Sequence, residues 1–262
     1  MKVQVLISCM FDSDHSVIKH TNLQSDAIVV NQCDNDSREI FNITSNSGKE
    51  CCITYINTTE RGLSRSRNMA IKNSDSDICL LCDDDEELVD NYDEIIVNAF
   101  EENPSADIIA FNIKRPSKTP FSSTHKLRYI EALKVSSVHI AFRRERIIAN
   151  NIVFDVMLGS GSGNGGGEDT KFMRDCWKKG LSQWGNSSFI GVLKDTSKSL
   201  WFHGFNKQFF LDYGWTSRRV FGSITSVFTL LIYTVKHYKD YRKDISFYDA
   251  LRYSFVGWGM KK

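Results

Sequence analysis

Asp77-Ile-Cys-Leu-Leu-Cys-Asp83-Asp84-Asp85-Glu86-Glu87 is an apolar run of strand length that ends in five consecutive carboxylates. Like charges this close are costly unless water solvates them or a cation neutralises them. The acids leave the end of an element that reads as buried, so the strand fixes their position, as a cation site requires. Hard oxygen ligands suit Mg²⁺ or Mn²⁺, especially where phosphate supplies the remaining ligands. The plain alternative is a solvated turn before a helix beginning near Leu88, whose N-terminus accommodates Asp and Glu.

Outward from that stretch, apolar runs of strand length alternate with helical patterns. Val3–Ser8, Ala27–Asn31, Cys51–Ile56, Ile78–Cys82 and Asp107–Asn112 read as strands, and Ser64–Asn73 and Leu88–Glu101 as helices. Near-continuous apolar strands suit an α/β fold with a mostly parallel sheet covered by helices on both faces. Ligands of such sheets gather at the carboxyl ends of the strands, where Asp83–Glu87 lies. Ser64 is placed to cap a helix whose first turn holds Arg65, Arg67 and Asn68. Cations there oppose the helix dipole unless an anion is nearby; a solvated helix face is the alternative.

The 262 residues, 41% hydrophobic and 25% charged, suffice for one enzyme-sized core with an appendage. Charge is unevenly distributed. From Leu200 onward ten Lys/Arg face four Asp, whereas the preceding residues are net negative, so an acidic body precedes a basic tail that faces something anionic. The seven cysteines are odd in number and mostly sit in apolar runs, as buried thiols rather than a disulfide framework, which points to a cytoplasmic protein. Cys79 and Cys82, three positions apart on a strand, point to opposite faces, against a zinc or redox CxxC. The run after Met1 is too short for a signal peptide and reads as the first strand.

Arg61-Gly-Leu-Ser-Arg-Ser-Arg67-Asn68 followed by Asp77-Ile-Cys-Leu-Leu-Cys-Asp83-Asp84-Asp85 resembles the central segment of family 2 glycosyltransferases of the GT-A fold. That pattern is a Gly-x-x-x-x-Arg-Asn helix, a short turn, and a strand ending in Asp-x-Asp. Gly165-Gly-Gly-Glu168-Asp169 is similar to the family's Gly-Glu-Asp segment opening a helix, and Trp201-Phe-His203 falls where metal-dependent members place a late His. The resemblance implies a GT-A domain over residues 1–205 and an inverting enzyme that uses Mn²⁺ or Mg²⁺ and a nucleotide-diphosphate sugar. It places Asp83 toward the nucleoside and the metal, Asp85 on the metal, Asp84 beside the donor, and Arg67 and Asn68 near the phosphates. His203 is a third candidate ligand, or else a packing histidine between aromatics. Family members usually end their first strand in a Pro-Thr-like pair and their second in Asp-Asp-Gly-Ser. This chain has Ser8-Cys9-Met10 and Val30-Asn31-Gln32-Cys33-Asp34 there, which makes Cys9, Asn31 and Asp34 the candidate base-side contacts. The Asn31 amide oxygen is suited to accept from a uracil or thymine N3–H, with Asp34 or Asp36 replacing the missing acid. A Gln-x-x-Arg-Trp motif of processive members is absent, which favours single addition.

Sugar transfer from a nucleotide diphosphate needs stabilisation of the departing phosphate and a base for the incoming hydroxyl. Asp169 is the expected base, with Glu168 beside it contacting the acceptor or raising its basicity; a helix-cap role is the alternative. The preceding run Gly159–Gly167 reads as a flexible loop over the site. Residues 206–262 form the second segment. Val220 to Val235 has a helical apolar stripe too short to span a bilayer, followed by Lys236–Lys243 and the aromatic-rich Ile245–Trp258. Such a helix suits the anionic inner leaflet, with a lipid-linked saccharide as acceptor in surface polysaccharide or capsule assembly, or else packs on the body or a dimer partner. No nucleic-acid partner is expected. Rival readings are a nucleotidyltransferase, which needs a basic Gly-rich loop not visible in Ile7–Ser16, and a catalytically degenerate sugar-nucleotide-binding or membrane scaffold protein.

Overall fold

The apolar runs become the strands of one large sheet. The computed structural model describes residues 1–115, 119–136, 140–193 and 204–261. In chain order the first half holds β1 (Val3–Met10), α1 (Ser16–His20), β2 (Asp26–Gln32), β3 (Ser37–Thr44), β4 (Glu50–Thr58), α2 (Leu63–Asn73), β5 (Ile78–Asp83), β6 (Glu86–Leu88) and α3 (Tyr92–Glu102). Then come β7 (Ile108–Lys114), β8 (His125–Lys126), α4 (Tyr129–Ala132), β9 (Ile140–Arg143), α5 (Arg144–Ala149), α6 (Glu168–Lys178) and β10 (Gln183–Leu193). Four helices close the chain: α7 (Lys207–Phe221), α8 (Ser223–Lys236), α9 (Tyr238–Tyr241) and α10 (Phe247–Gly259).

The strands run β3-β4-β2-β1-β5-β9-β7-β10-β6, with β8 also on β10. The β4-β2-β1-β5 core is parallel, and β9 is inserted antiparallel between β5 and β7. Side-chain alternation splits the core in two. Val5, Ile7 and Cys82 pack on one face with Tyr92, Ile96 and Phe100 of α3; Leu6, Cys79 and Leu81 pack on the other with Ala70, Ile71, Phe172 and Met173. Cys79 and Cys82 therefore do face opposite ways, and the seven cysteines are unbridged. Burial pushes the Cys79 and Cys82 thiols up, as inert core groups.

Three local expectations change. The expected helix from Leu88 begins only at Tyr92, because Glu86–Leu88 instead pairs antiparallel with Gly191–Leu193 of β10. Ser64 does not cap α2: Gly62 holds the cap position at φ 117°, and the Ser64 hydroxyl donates to Leu158 O at 2.8 Å. The run Val220–Val235 is not one helix, since Gly222 at φ 80° separates α7 from α8. α7 and α10 cross in direct backbone contact at Gly214 and Gly257, where a β-carbon on either would enter the other helix at Ser254 O or Leu211 O.

Candidate active site

Parallel register places the site. Ser8 stands opposite both Val30 and Asp83, and Cys9 opposite Asn31, so β1, β2 and β5 deliver their carboxyl ends to one rim. α2 crosses this rim, its Ser66 hydroxyl donating to Ser8 Oγ at 2.8 Å, and brings Arg67 over β5.

Arg67 is the centre of the arrangement. Only 2% exposed, it donates through Nη2 to both oxygens of Asp83 (2.9 and 3.2 Å) and through Nη1 to Asp169 Oδ1 (3.0 Å), with Glu168 Oε1 at 3.9 Å. The planar guanidinium thus joins the end of β5 to the start of α6 as a fork no lysine reproduces. Its positive charge is already committed to protein carboxylates rather than held open for a phosphate. Its ring contact is Phe154, 5.4 Å from the guanidinium carbon.

The acids respond to this crowding. Burial first, then the negative charge of Asp169, pushes the Glu168 carboxyl up to about 7, against the pull of Arg67. Asp84 and Asp85 are likewise raised by burial and by neighbouring acidic charge, Asp83 first in each case. Glu86 is the residue the sequence reading missed: one of five carboxylates whose plain alternative was a solvated turn before a helix, it is 1% exposed in β6. It accepts the Asp83 backbone N–H on Oε2 at 3.0 Å, and its other oxygen has no hydrogen-bond partner. Burial lifts it well above the carboxylate range, the state in which a buried acid is cheapest.

Other expected residues are placed differently. Asn31 is buried and its amide engaged at both ends: Oδ1 accepts from Asp12 N at 3.0 Å, and Nδ2 donates to Asp12 O and Asn57 Oδ1. The Cys9 thiol packs against Val30 O and Asn31 Oδ1, and burial pushes it up to about 12. Asp34 lies on the exposed rim, ion-paired to Arg61 at 2.7 Å, while Asp36 caps Thr59 N. Asn68 zips α2 to Phe154 through both backbone groups at 2.8 Å. His203 lies outside the described residues. The run 159–167 is not a loose flap. Leu63 N donates to Ser160 O and Gly159 N to Gly165 O, and a β-carbon at Gly159 would stand 3.2 Å from both the Glu168 carboxyl carbon and Ser64 Oγ. Glycine lets this backbone lie against the site's own acid.

Two further groups stand at the rim. Phe11 is an exposed aromatic at φ 52° just past β1, with the Arg61 guanidinium 5.4 Å from its ring centre. Arg115, immediately after β7, feels the charges of Glu86 and Asp169; its Nη2 donates to Ser136 Oγ, and its buried Nε has no partner. Neither carries a local sequence signal beyond its type.

A divalent cation needs hard oxygen ligands that converge on one point. Among the described residues no three His, Cys, Asp or Glu side chains converge at ligand spacing. Mg²⁺ sites commonly use one or two carboxylates, with phosphate and water completing the shell, and the crowded, partly buried Asp83–Asp85 carboxylates fit that pattern.

The Glycosyl transferase family 2 model matches residues 13–161, more than half of the chain, across α2, the Asp83–Asp85 turn and Asn68's partner Phe154. The chain belongs to glycosyl transferase family 2. The chain is thus a glycosyltransferase of GT-A fold, and its structure superposes on the crystal structure of residues 1–349 of S. aureus TarS. That match has a TM-score of 0.62 at 14% identity, covering 100% of this chain and 93% of that one. The same TarS fragment with UDP gives 0.63 at 13%, covering 98% and 81%. With UDP-GlcNAc it gives 0.59 at 14%, covering 93% and 74%. At these identities the likeness speaks for the fold. A search of curated proteins gives no match.

Proposed function

We propose that this glycosyltransferase moves a single hexose, with inversion, from a nucleotide-diphosphate sugar to a saccharide acceptor. A UDP-sugar is the proposed donor; the TarS fragment similar in fold is crystallised with UDP and with UDP-GlcNAc. The observation that carries the reading is the Arg67 fork, which holds the acid ending β5 and the acid opening α6 on one guanidinium.

Asp169 takes the proton of the acceptor hydroxyl as that oxygen bonds to the anomeric carbon, and the bond from that carbon to the diphosphate oxygen breaks on the opposite face. Opposite faces for attack and departure invert the centre. Asp83 and Asp85 would hold Mn²⁺ or Mg²⁺, with Asp84 beside the donor and His203 proposed as a third ligand; the cation would supply Lewis-acid stabilisation of the leaving diphosphate. Arg67 fixes Asp169 and Asp83 relative to each other, and Glu168 tunes the basicity of its neighbour. Phe11 offers a face for the base, the role expected of Asn31 having no free amide group to serve it. A lipid-linked acceptor in surface polysaccharide assembly follows from the basic, apolar C-terminal segment 206–262, in a cytoplasmic enzyme.

Thermal unfolding with a panel of nucleotide sugars tests the donor. Binding to the folded state alone raises the melting temperature. One uridine diphosphate sugar is expected to do so in the presence of Mn²⁺ and not with chelator; no stabilisation by any nucleotide sugar rejects the reading.

A further inference from the structure

α8 is packed inside out. Its buried positions are Ser226, Leu230 and Thr234, two of them hydroxyl residues. The Ser226 hydroxyl accepts from Trp258 Nε1 at 2.8 Å and donates back to its own helix, while Thr234 donates to Leu230 O. The opposite face carries Ile224, Phe228, Leu231, Ile232 and Val235, whose exposures lie between 41% and 79%. At roughly 100° per residue these five fall within a stripe about 100° wide. A helix on the surface of a water-soluble body turns such a stripe inward; contiguous apolar exposure marks an interaction surface.

Charge selects the occupant. Lys236 continues the stripe at the helix end, and Lys239, Arg242 and Lys243 follow, all four exposed. The acid among them, Asp240, accepts from His237 Nδ1 at 2.8 Å. Tyr238, Phe247 and Tyr248 add exposed aromatic side chains next to this basic group. An apolar stripe with a cationic and aromatic border matches a helix lying in the headgroup region of an anionic bilayer. With 14 residues α8 is too short to cross, and among the described residues no helix is long and apolar enough to do so.

We infer that α8 is a membrane-docking helix, lying flat with Ile224, Phe228, Leu231, Ile232 and Val235 among lipid chains and Lys236–Lys243 on anionic headgroups. This gives the proposed lipid-linked acceptor a surface on which to be met, and it rests on that reading only for its purpose. The binding is independent of catalysis. The tail helix α7 is already committed to the body, since Arg219 pairs with Asp155 at 2.7 Å and Thr216 packs on Gly167, so α8 alone presents a free face among these two.

Flotation of the full chain with vesicles tests this. Vesicles of phosphatidylglycerol with phosphatidylcholine are expected to carry the wild type, and phosphatidylcholine alone to leave most of it behind. Ile224→Ser with Phe228→Ser is expected to abolish flotation, and Lys236→Gln or Lys239→Gln to weaken it about fivefold per lost cation. All these variants should keep wild-type melting temperature and donor hydrolysis, which separates failure of docking from failure of the transferase reading. Wild type that does not float, flotation unchanged by the serine variants, or a dimer in light scattering that those variants dissolve, overturns the inference.

Discussion

Arg67 Nη1 lies 3.0 Å from Asp169 Oδ1 across 102 residues of sequence, and the same guanidinium holds Asp83. Replacing Arg67 by Met leaves Asp83, Glu168 and Asp169 crowded together without their shared cation. Breaking such a buried network is expected to cost about 3–5 kcal/mol in urea unfolding. Arg67→Lys keeps the charge but not the fork, so transfer should fall on the order of a hundredfold through misplacement of Asp169. A lysine variant with wild-type transfer would dismiss the clamp.

Glu168 predicts a pH dependence with a definite sign. Its proton is held in the folded protein up to about 7 and released by the unfolded chain near the ordinary 4.5. The folded state binds the extra proton, so the contribution of Glu168 to stability falls as pH rises across that window. Glu168→Gln should flatten the denaturation profile there. Its ionisation also adds charge beside Asp169, so transfer should rise through about pH 7 in the wild type and lose that inflection in Glu168→Gln.

Glu86 separates charge from shape. Glu86→Gln keeps an acceptor for the Asp83 N–H without an ionisable buried group, so stability should change little and the Asp83–Asp85 turn should hold. Glu86→Ala leaves that N–H unpaired and a void beneath the turn, a loss of about 1–3 kcal/mol by thermal or urea unfolding. Equal destabilisation by both would mean that the carboxyl is ionised and paired in solution.

Phe11→Ala tests the base face. Stacking of a base on an aromatic side chain is worth about 1–3 kcal/mol. UDP affinity by calorimetry should therefore drop about tenfold or more, with the melting temperature little changed because the ring is already exposed. Unaltered affinity would move the base elsewhere along the rim.

Much of this was legible because periodicity and motif agreed. The strands beginning at Val3, Ala27, Cys51 and Ile78 are nearly continuously apolar, since a parallel sheet buries both faces, and all four lie within observed strands. Glu86 was misread because a carboxylate after three aspartates carries no sign of burial; only the antiparallel return of β10 against Glu86–Leu88 puts it inside. β3 alternates Arg, Ile, Asn and Thr on a sheet edge, a weak pattern that only pairing with β4 resolves. Asn31 carried the right position in the right strand, yet whether an amide faces a ligand or its neighbours is decided by Asp12 and Asn57, which sequence order does not bring together. For α8 the apolar stripe was readable and its direction was not, because that depends on the glycine crossing of α7 and α10 that seats Trp258 on Ser226.

The assignment of the acids ending β5 to the leaving group is tested most directly by donor hydrolysis. Release of UDP from the stabilising UDP-sugar should be slow but measurable in the wild type with Mn²⁺, suppressed by chelator, and lost in Asp85→Ala that still melts as the wild type does. Equal UDP release by Asp85→Ala and the wild type would contradict it.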